Sequence, residues 1–218
     1  METQVLEREN TLEADRVEFV EKPVFDFFKR IFDILASFLA LVVLSPFFII
    51  IAVVIMIDDL GNPIFVQERV GKNGKKFLCL KWRTMYVNSD EKKVDLEKDN
   101  ECVSVHFKMT NDPRVTRFGR FLRKTSLDET LQFVNILLNQ MSIIGPRPFI
   151  TSEQEQLPDE RLFVKPGISC YWQVTDTTKM PIPEQLELDY KYIRERSVLT
   201  DLKIIFLTVG VVLGKKNK

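Results

Sequence analysis

The sequence predicts an irregular, mostly helical α/β protein, in which an apolar membrane helix interrupted at its centre leads into a small domain. Three observations predict it. A long apolar run carries a Ser-Pro step in its middle. Two short β-type segments flank a Gly-Lys-Asn-Gly turn. Later segments space their apolar residues as amphipathic helices do.

Residues 1–24 form an acidic, polar arm with Glu2, Glu7, Glu9, Glu13, Asp15, Glu18 and Glu21 and no strong apolar period. That pattern reads as a loosely structured extension and not as a signal peptide. Residues 25–59 form the membrane segment. From Ile34 to Ile57 every residue is apolar except Ser37, Ser45 and Pro46, and a straight helix of that length reaches about 36 Å, enough to cross a bilayer. Proline removes a backbone donor and crowds the preceding turn, so a kink or break is expected at Ser45-Pro46. Each half alone is then too short to cross. Lys29 and Arg30 precede the run, and Arg69, Lys72, Lys75 and Lys76 follow it. Cations on both flanks draw both ends to the cytoplasm. Two topologies remain open on these grounds: a kinked span and a re-entrant helix-break-helix that leaves by the face it entered.

Residues 60–218 form the expected catalytic domain. Ile64 to Val70 and Phe77 to Lys81 read as strands of a hairpin around Gly71-Lys72-Asn73-Gly74. Asn88 to Asn100 reads as a charged helix or loop. Ser126 to Leu138 and Pro183 to Arg196 read as helices. The tail, Leu202 to Leu213, is apolar and ends in Lys215, Lys216 and Lys218. It suits a helix lying in the membrane interface with its lysines toward lipid phosphates.

Composition excludes several classes of function. Lys plus Arg and Asp plus Glu number 31 each, so the net charge is zero, which argues against a nucleic acid polymer as partner. Cys79, Cys102 and Cys170 are odd in number and far apart, so neither a disulfide framework nor a zinc site is indicated. His106 is the single histidine and lies in a plain polar stretch. A nucleophile or base is therefore sought among the carboxylates.

Thr125-Ser126-Leu127-Asp128-Glu129 is the sharpest local pattern. Ser126 with Glu129 three residues on is a capping box and starts many helices without further meaning. Two adjacent acids in a first helical turn also point about 100° apart and can hold different jobs. The helix N-terminus there favours carboxylate and phosphate. Arg114, Arg117, Arg120, Arg123 and Lys124 crowd the preceding sequence. A carboxylate nucleophile, a carboxylate ligand for Mg2+ and arginines for phosphate would make a complete phosphoryl-transfer site. In Gly145-Pro146-Arg147-Pro148 the prolines hold Arg147 on stiff extended chain, suited to gripping phosphate. Lys81-Trp82-Arg83-Thr84-Met85 places Lys81 and Arg83 on one face of the second strand.

These pieces, in this order, resemble the monotopic bacterial sugar transferases, the polyprenyl-phosphate phosphoglycosyl transferases. The likeness rests on the helix broken at Ser45-Pro46, Val66-Gln67-Glu68-Arg69-Val70-Gly71, Lys81-Trp82-Arg83-Thr84-Met85, Asp112-Pro113-Arg114 and Phe121 to Glu129. It continues through Met141-Ser142-Ile143-Ile144-Gly145-Pro146-Arg147-Pro148, Lys165-Pro166-Gly167-Ile168 and Trp172-Gln173-Val174. It spans about residues 25–215.

The resemblance implies that the broken helix is re-entrant, and that the active domain lies on the cytoplasmic face of the bacterial inner membrane. It implies that Asp128 attacks the β-phosphate of a UDP-sugar, releasing UMP, and that Glu129 holds Mg2+. Lys81, Arg123 and Arg147 map onto phosphate-handling positions, and Arg83, Arg114 and Gln173 complete the expected substrate-binding set. The acceptor implied is polyprenyl phosphate, membrane lipid is a further partner, and a homodimer is left open. The competing reading is a non-catalytic membrane scaffold or a lipid-phosphate-binding module. The chain departs from the pattern at Asp176-Thr177, where relatives often carry Gly-Arg, and at Leu131, where they often carry Pro.

Overall fold

The structure, a computed structural model, describes residues 19–89, 112–174 and 180–214. The expected segment Asn88 to Asn100, Cys102, His106, Asp176-Thr177, most of the acidic arm and the terminal lysines lie wholly or largely outside them. The described chain is mostly helical, with two small two-stranded sheets.

Helix α1 runs from Pro23 to Asp58, starting on a proline where no helical donor is lost. The expected break is absent: one helix continues through Pro46. The reason is local. Pro46 cannot donate to the Val42 carbonyl, and the Ser45 hydroxyl donates to that carbonyl at 2.8 Å in its place.

Both ends of α1 are held by the same domain. At the N-terminal end, Lys29 pairs with Asp201 at 2.5 Å. Arg30 donates to the Ile136 and Leu137 carbonyls at 2.6 and 3.1 Å, and Asp33 accepts from the Ile143 N–H at 3.1 Å. At the other end, Asp58 accepts from the Phe118 N–H at 3.0 Å, and Arg83 pairs with Asp59 at 3.0 Å. Ile51 and Ile55 pack there in one cluster with Trp82, Leu122 and Leu131. Its two anchored ends enclose the interval that contains Pro46. Much of α1 between them is exposed and apolar, including Leu35, Phe38, Leu39, Val43, Phe47, Ile49 and Ile50.

The hairpin forms as expected. Strands β1 (Ile64–Val70) and β2 (Lys76–Trp82) pair antiparallel, with Arg69 opposite Phe77, Gln67 opposite Cys79 and Phe65 opposite Lys81. The turn takes left-handed backbone at Asn73 (φ 57°) and Gly74 (φ 73°), residues that tolerate it. Helix α2 (Arg117–Thr125) is capped by Thr116, whose side chain accepts from the Gly119 N–H.

The single helix expected over Ser126 to Leu138 is two elements. Ser126 turns left-handed, the chain makes a short 3₁₀ turn over Leu127–Glu129, and α3 begins only at Gln132 and ends at Leu137. Strands β3 (Ser142–Ile144) and β4 (Gly167–Ser169) pair in parallel. A short helix, α4 (Thr151–Gln154), and a 3₁₀ turn (Asp159–Phe163) join them. Helices α5 (Ile182–Glu195) and α6 (Val198–Gly214) close the described chain. The α6 helix starts earlier than its apolar run. Asp201 and Ile204 are buried on the domain, while Leu199, Leu202, Phe206, Leu207 and Leu213 are exposed.

A buried ion pair ties the loop after β3 to α5. Arg161 donates to Asp189 at 2.7 Å, to Gln154 at 3.0 Å and to the Arg147 carbonyl at 2.8 Å, and its guanidinium lies 4.1 Å from the Phe149 ring centre. Removing one partner strands a buried charge, so Arg161→Leu is expected to cost about 3–5 kcal/mol. Arg161→Leu combined with Asp189→Leu is expected to recover part of that loss in denaturant unfolding.

Candidate functional site

The site is built on the inward face of the hairpin. Alternation along β1 and β2 puts Arg69, Cys79 and Lys81 on one face. Helix α3 is stitched to β2 by Asn135, whose side chain donates to the Leu78 carbonyl at 2.7 Å and accepts from the Leu80 N–H at 3.0 Å. It acts as a substitute strand neighbour. The turn before α3 is thereby held against β2: Lys81 Nζ donates to Glu129 Oε1 at 2.7 Å, and Trp82 Nε1 donates to Thr130 Oγ1 at 3.1 Å.

Arg147 enters from the opposite side. Its backbone is fixed by a close crossing of two glycines. A Cβ on Gly145 would stand 2.3 Å from the Lys165 carbonyl oxygen, and one on Gly167 would stand 2.1 Å from the Gly145 nitrogen. Only glycine allows the two segments to approach this closely. The Arg147 guanidinium lies 3.9 Å from Glu129 Oε1 and 5.7 Å from the Trp172 ring centre. Arg69 donates to the Pro148 carbonyl at 2.9 Å and stands 3.8 Å from Glu153. Together Arg69, Cys79, Lys81, Glu129, Gln132, Arg147 and Gln173 surround a narrow cleft.

The two adjacent carboxylates end in opposite electrostatic states. Burial, reinforced by the Glu129 charge, pushes Asp128 up to about 6, against the pull of Lys81 and Arg123. Burial also works to raise Glu129, but Lys81, Arg147 and Arg69 overcome it and hold this carboxyl well below the usual range. Environments that drive two carboxyls apart mark an arrangement with divided roles. The capping box expected at Ser126 and Glu129 does not form, because Ser126 makes no cap and Glu129 is engaged by Lys81. A regular helix start does not hold these acids either; the cations across the cleft do.

Of the expected site residues, Glu129, Lys81, Arg147 and Gln173 line the cleft, and Asp128 adjoins it beside Glu129, within reach of the Lys81 and Arg123 charges. Gln173 Oε1 is buried without a hydrogen-bond partner and lines the cleft. Arg123 donates to Thr84 Oγ1 at 2.9 Å, and its charge acts on Asp128. Arg83 and Arg114 are placed elsewhere. Arg83 lies beyond the end of β2 and binds both the carboxylate and the carbonyl of Asp59. Arg114 is buried and grips Asp112, two residues before it, at 2.7 Å. Ser45 and Pro46 lie within α1. Sequence reasoning missed Arg69, Gln132 and Cys79; the strand alternation that selects Lys81 also selects Cys79 and, across the hairpin, Arg69. Burial raises the Cys79 thiol, as suits a wall residue.

A long apolar helix held at both ends by a domain whose cleft sets Glu129 among arginines and a lysine suits membrane association and the binding of an anionic group. The profile of the bacterial sugar transferases matches residues 24–215, and the chain belongs to that family. Among its relatives is the UDP-galactose-lipid carrier transferase of Erwinia amylovora, 38% identical over 196 residues, 87% of this chain and 41% of that protein. The UDP-glucose:undecaprenyl-phosphate glucose-1-phosphate transferase of Escherichia coli K12 is 40% identical over 193 residues, 83% of this chain and 39% of its own. The exopolysaccharide production protein ExoY of Sinorhizobium fredii is 36% identical over 198 residues, 88% of both chains. The chain thus spans about two fifths of the first two relatives and most of the third.

Lys81 is the nearest cation to Glu129, so Lys81→Met is expected to raise the Glu129 carboxyl toward its ordinary range, as read by carbon-13 carboxyl titration. A carboxyl held low in the fold stabilises it above the unfolded value and loses that contribution as pH falls through the folded value. The Lys81→Met variant is expected to show a weaker loss of stability on acidification than the unaltered chain.

Proposed function

We propose that this chain transfers a sugar 1-phosphate from a UDP-sugar to undecaprenyl phosphate, releasing UMP, at the cytoplasmic face of the bacterial inner membrane. The observation that carries the reading is the Asp128-Glu129 pair: one carboxyl raised and half-buried, the other locked by Lys81 and Arg147 at the mouth of a cationic cleft. The names of the relatives from Erwinia amylovora and Escherichia coli support the same chemistry.

In this reading Asp128 is the nucleophile. Its carboxylate oxygen bonds to the β-phosphorus of the UDP-sugar, and the bond from that phosphorus to the bridging oxygen breaks. UMP leaves, and the sugar phosphate stays on the enzyme as an acyl phosphate. An oxygen of the lipid phosphate then bonds to the same phosphorus, and the Asp128 carboxylate is released. Arg69, Lys81 and Arg147 offset charge on the diphosphate, and Arg147 is pre-set by its Arg161-held carbonyl. Glu129 would hold Mg2+ by exchanging its Lys81 contact for the metal, which needs only one or two protein carboxylates beside substrate phosphates. Mg2+, when bound, would neutralise charge on the diphosphate.

The helix topology belongs to the same proposal. Both ends of α1 hold one domain, while its middle is exposed and apolar. A re-entrant helix that dips into the cytoplasmic leaflet and returns accounts for both, and α6 lies in the interface beside it.

Two experiments test these steps. Intact-protein mass spectrometry after incubation with UDP-sugar and Mg2+, without lipid, is expected to show a sugar-phosphate adduct that Asp128→Asn abolishes. An adduct mapped to another residue, or full UMP release by that variant, would overturn the assignment. Cysteines at positions 20 and 73 are expected to be labelled from the cytoplasmic side alone. Pro46→Ala, which restores a donor to the Val42 carbonyl, is expected to move part of position 20 to the periplasmic side.

A further inference from the structure

A second cavity, of about 110 Å³, shares no residue with the catalytic cleft. It lies between the N-terminal part of α1, strand β3, the Val164-Lys165 segment and the end of α5. Five cations line it, Lys29, Arg30, Lys72, Lys165 and Arg196, against two carboxylates, Asp26 and Asp33. Lys29 is satisfied by Asp201, and Arg30 caps α3. Lys72 and Lys165 have no carboxylate at ion-pair distance among the described residues; Lys165 donates only to the neutral Asn139 side chain.

Two buried polar atoms at this cavity can donate a hydrogen bond that nothing accepts. Ser142 Oγ is buried and has no partner. Arg196 Nε is buried as well, without a hydrogen-bond acceptor and 3.7 Å from Asp26. Burial lowers the Lys165 pKa, and the Arg30 and Lys72 charges lower it further, as expected of cations gathered with too few anions. Excess positive charge together with orphaned donors calls for a ligand that is anionic and rich in acceptors. A metal cation would be repelled, and a neutral sugar would leave the charge unmatched.

We infer that this cavity binds a phosphate group, most directly the headgroup phosphate of an anionic membrane lipid. The lipid source follows from position. Phe27, Phe28, Ile31 and Phe32 of α1 are exposed beside the cavity-lining residues of the same helix turns, so a headgroup in the cavity would have acyl chains alongside an apolar face. The cavity also backs onto the strands that floor the catalytic cleft: Ser142 lines it, while Gly167, its register partner on β4, lines the cleft. Only the lipid source rests on the membrane reading above; the phosphate site itself does not.

The test is binding, not turnover. The full chain in neutral detergent micelles is titrated with short-chain phosphatidylglycerol and, separately, with inorganic phosphate, and occupancy is read by native mass spectrometry. One phosphatidylglycerol per chain is expected, weakened at least tenfold by Lys72→Gln combined with Lys165→Gln and also weakened by the milder Ser142→Ala. Glu129→Gln is expected to leave it unchanged, which separates this cavity from the catalytic cleft. Tighter binding of the lipid than of phosphate identifies a headgroup site, and equal affinities identify a free-phosphate site. No binding of either, or binding indifferent to all of the cavity substitutions, overturns the inference. UMP release, measured in parallel, reports on the catalytic reading independently.

Discussion

The double attachment of α1 to one small domain is the constraint on which the rest of the structure depends. The domain's interior is divided among several modest clusters, and one of them takes Ile51 and Ile55 from the helix. The charged anchors are unequal in kind. Arg30 caps the last carbonyls of α3, a cation at a helix C-terminus, while Asp58 accepts from the N–H of Phe118 in the first turn of α2, an anion at a helix N-terminus. Each uses backbone groups that a helix end leaves unpaired. The same contacts therefore hold both ends of α1 and finish the ends of the two helices that bracket Asp128 and Glu129.

The site follows from this scaffold. Helix α3 is held by α1 on one side and by Asn135 against β2 on the other. The turn preceding it has little freedom, so Glu129 is presented to the cleft at a fixed position with Asp128 beside it. Glu129 carries the cation contacts, and its persistent negative charge helps to keep Asp128 raised. A raised carboxyl and a lowered one arise from adjacent residues of similar chemistry, because a short 3₁₀ turn directs them to different surroundings.

Arg83 and Arg114 show where sequence reading runs out. Arg83 sits two residues after Lys81 and looks equivalent in a strand pattern, but β2 ends at Trp82, and beyond the ladder alternation no longer dictates direction. It locks the end of α1 through Asp59. Arg114 lies in a run of arginines that suggests a phosphate cradle, yet it folds back on Asp112. Conversely, Arg69 was legible in principle from the hairpin register, since it shares a face with Cys79 and Lys81. The capping box at Ser126 was a fair local inference that long-range pairing displaced: Glu129 is bound by Lys81, 48 positions away in the chain.

The sequence by itself determined the apolar run of α1, the hairpin with its Asn-Gly turn, helix α5 and the residue types that meet in the cleft, because periodicity, proline and turn chemistry act over a few neighbouring residues. Only the tertiary structure decided that α1 continues through Pro46 with both ends on one domain, that Arg83 pairs with Asp59 and Arg114 with Asp112, and that Asp128 and Glu129 part in acidity. Those outcomes depend on which charges meet across long loops and on how much water reaches them, and neither is written in local sequence.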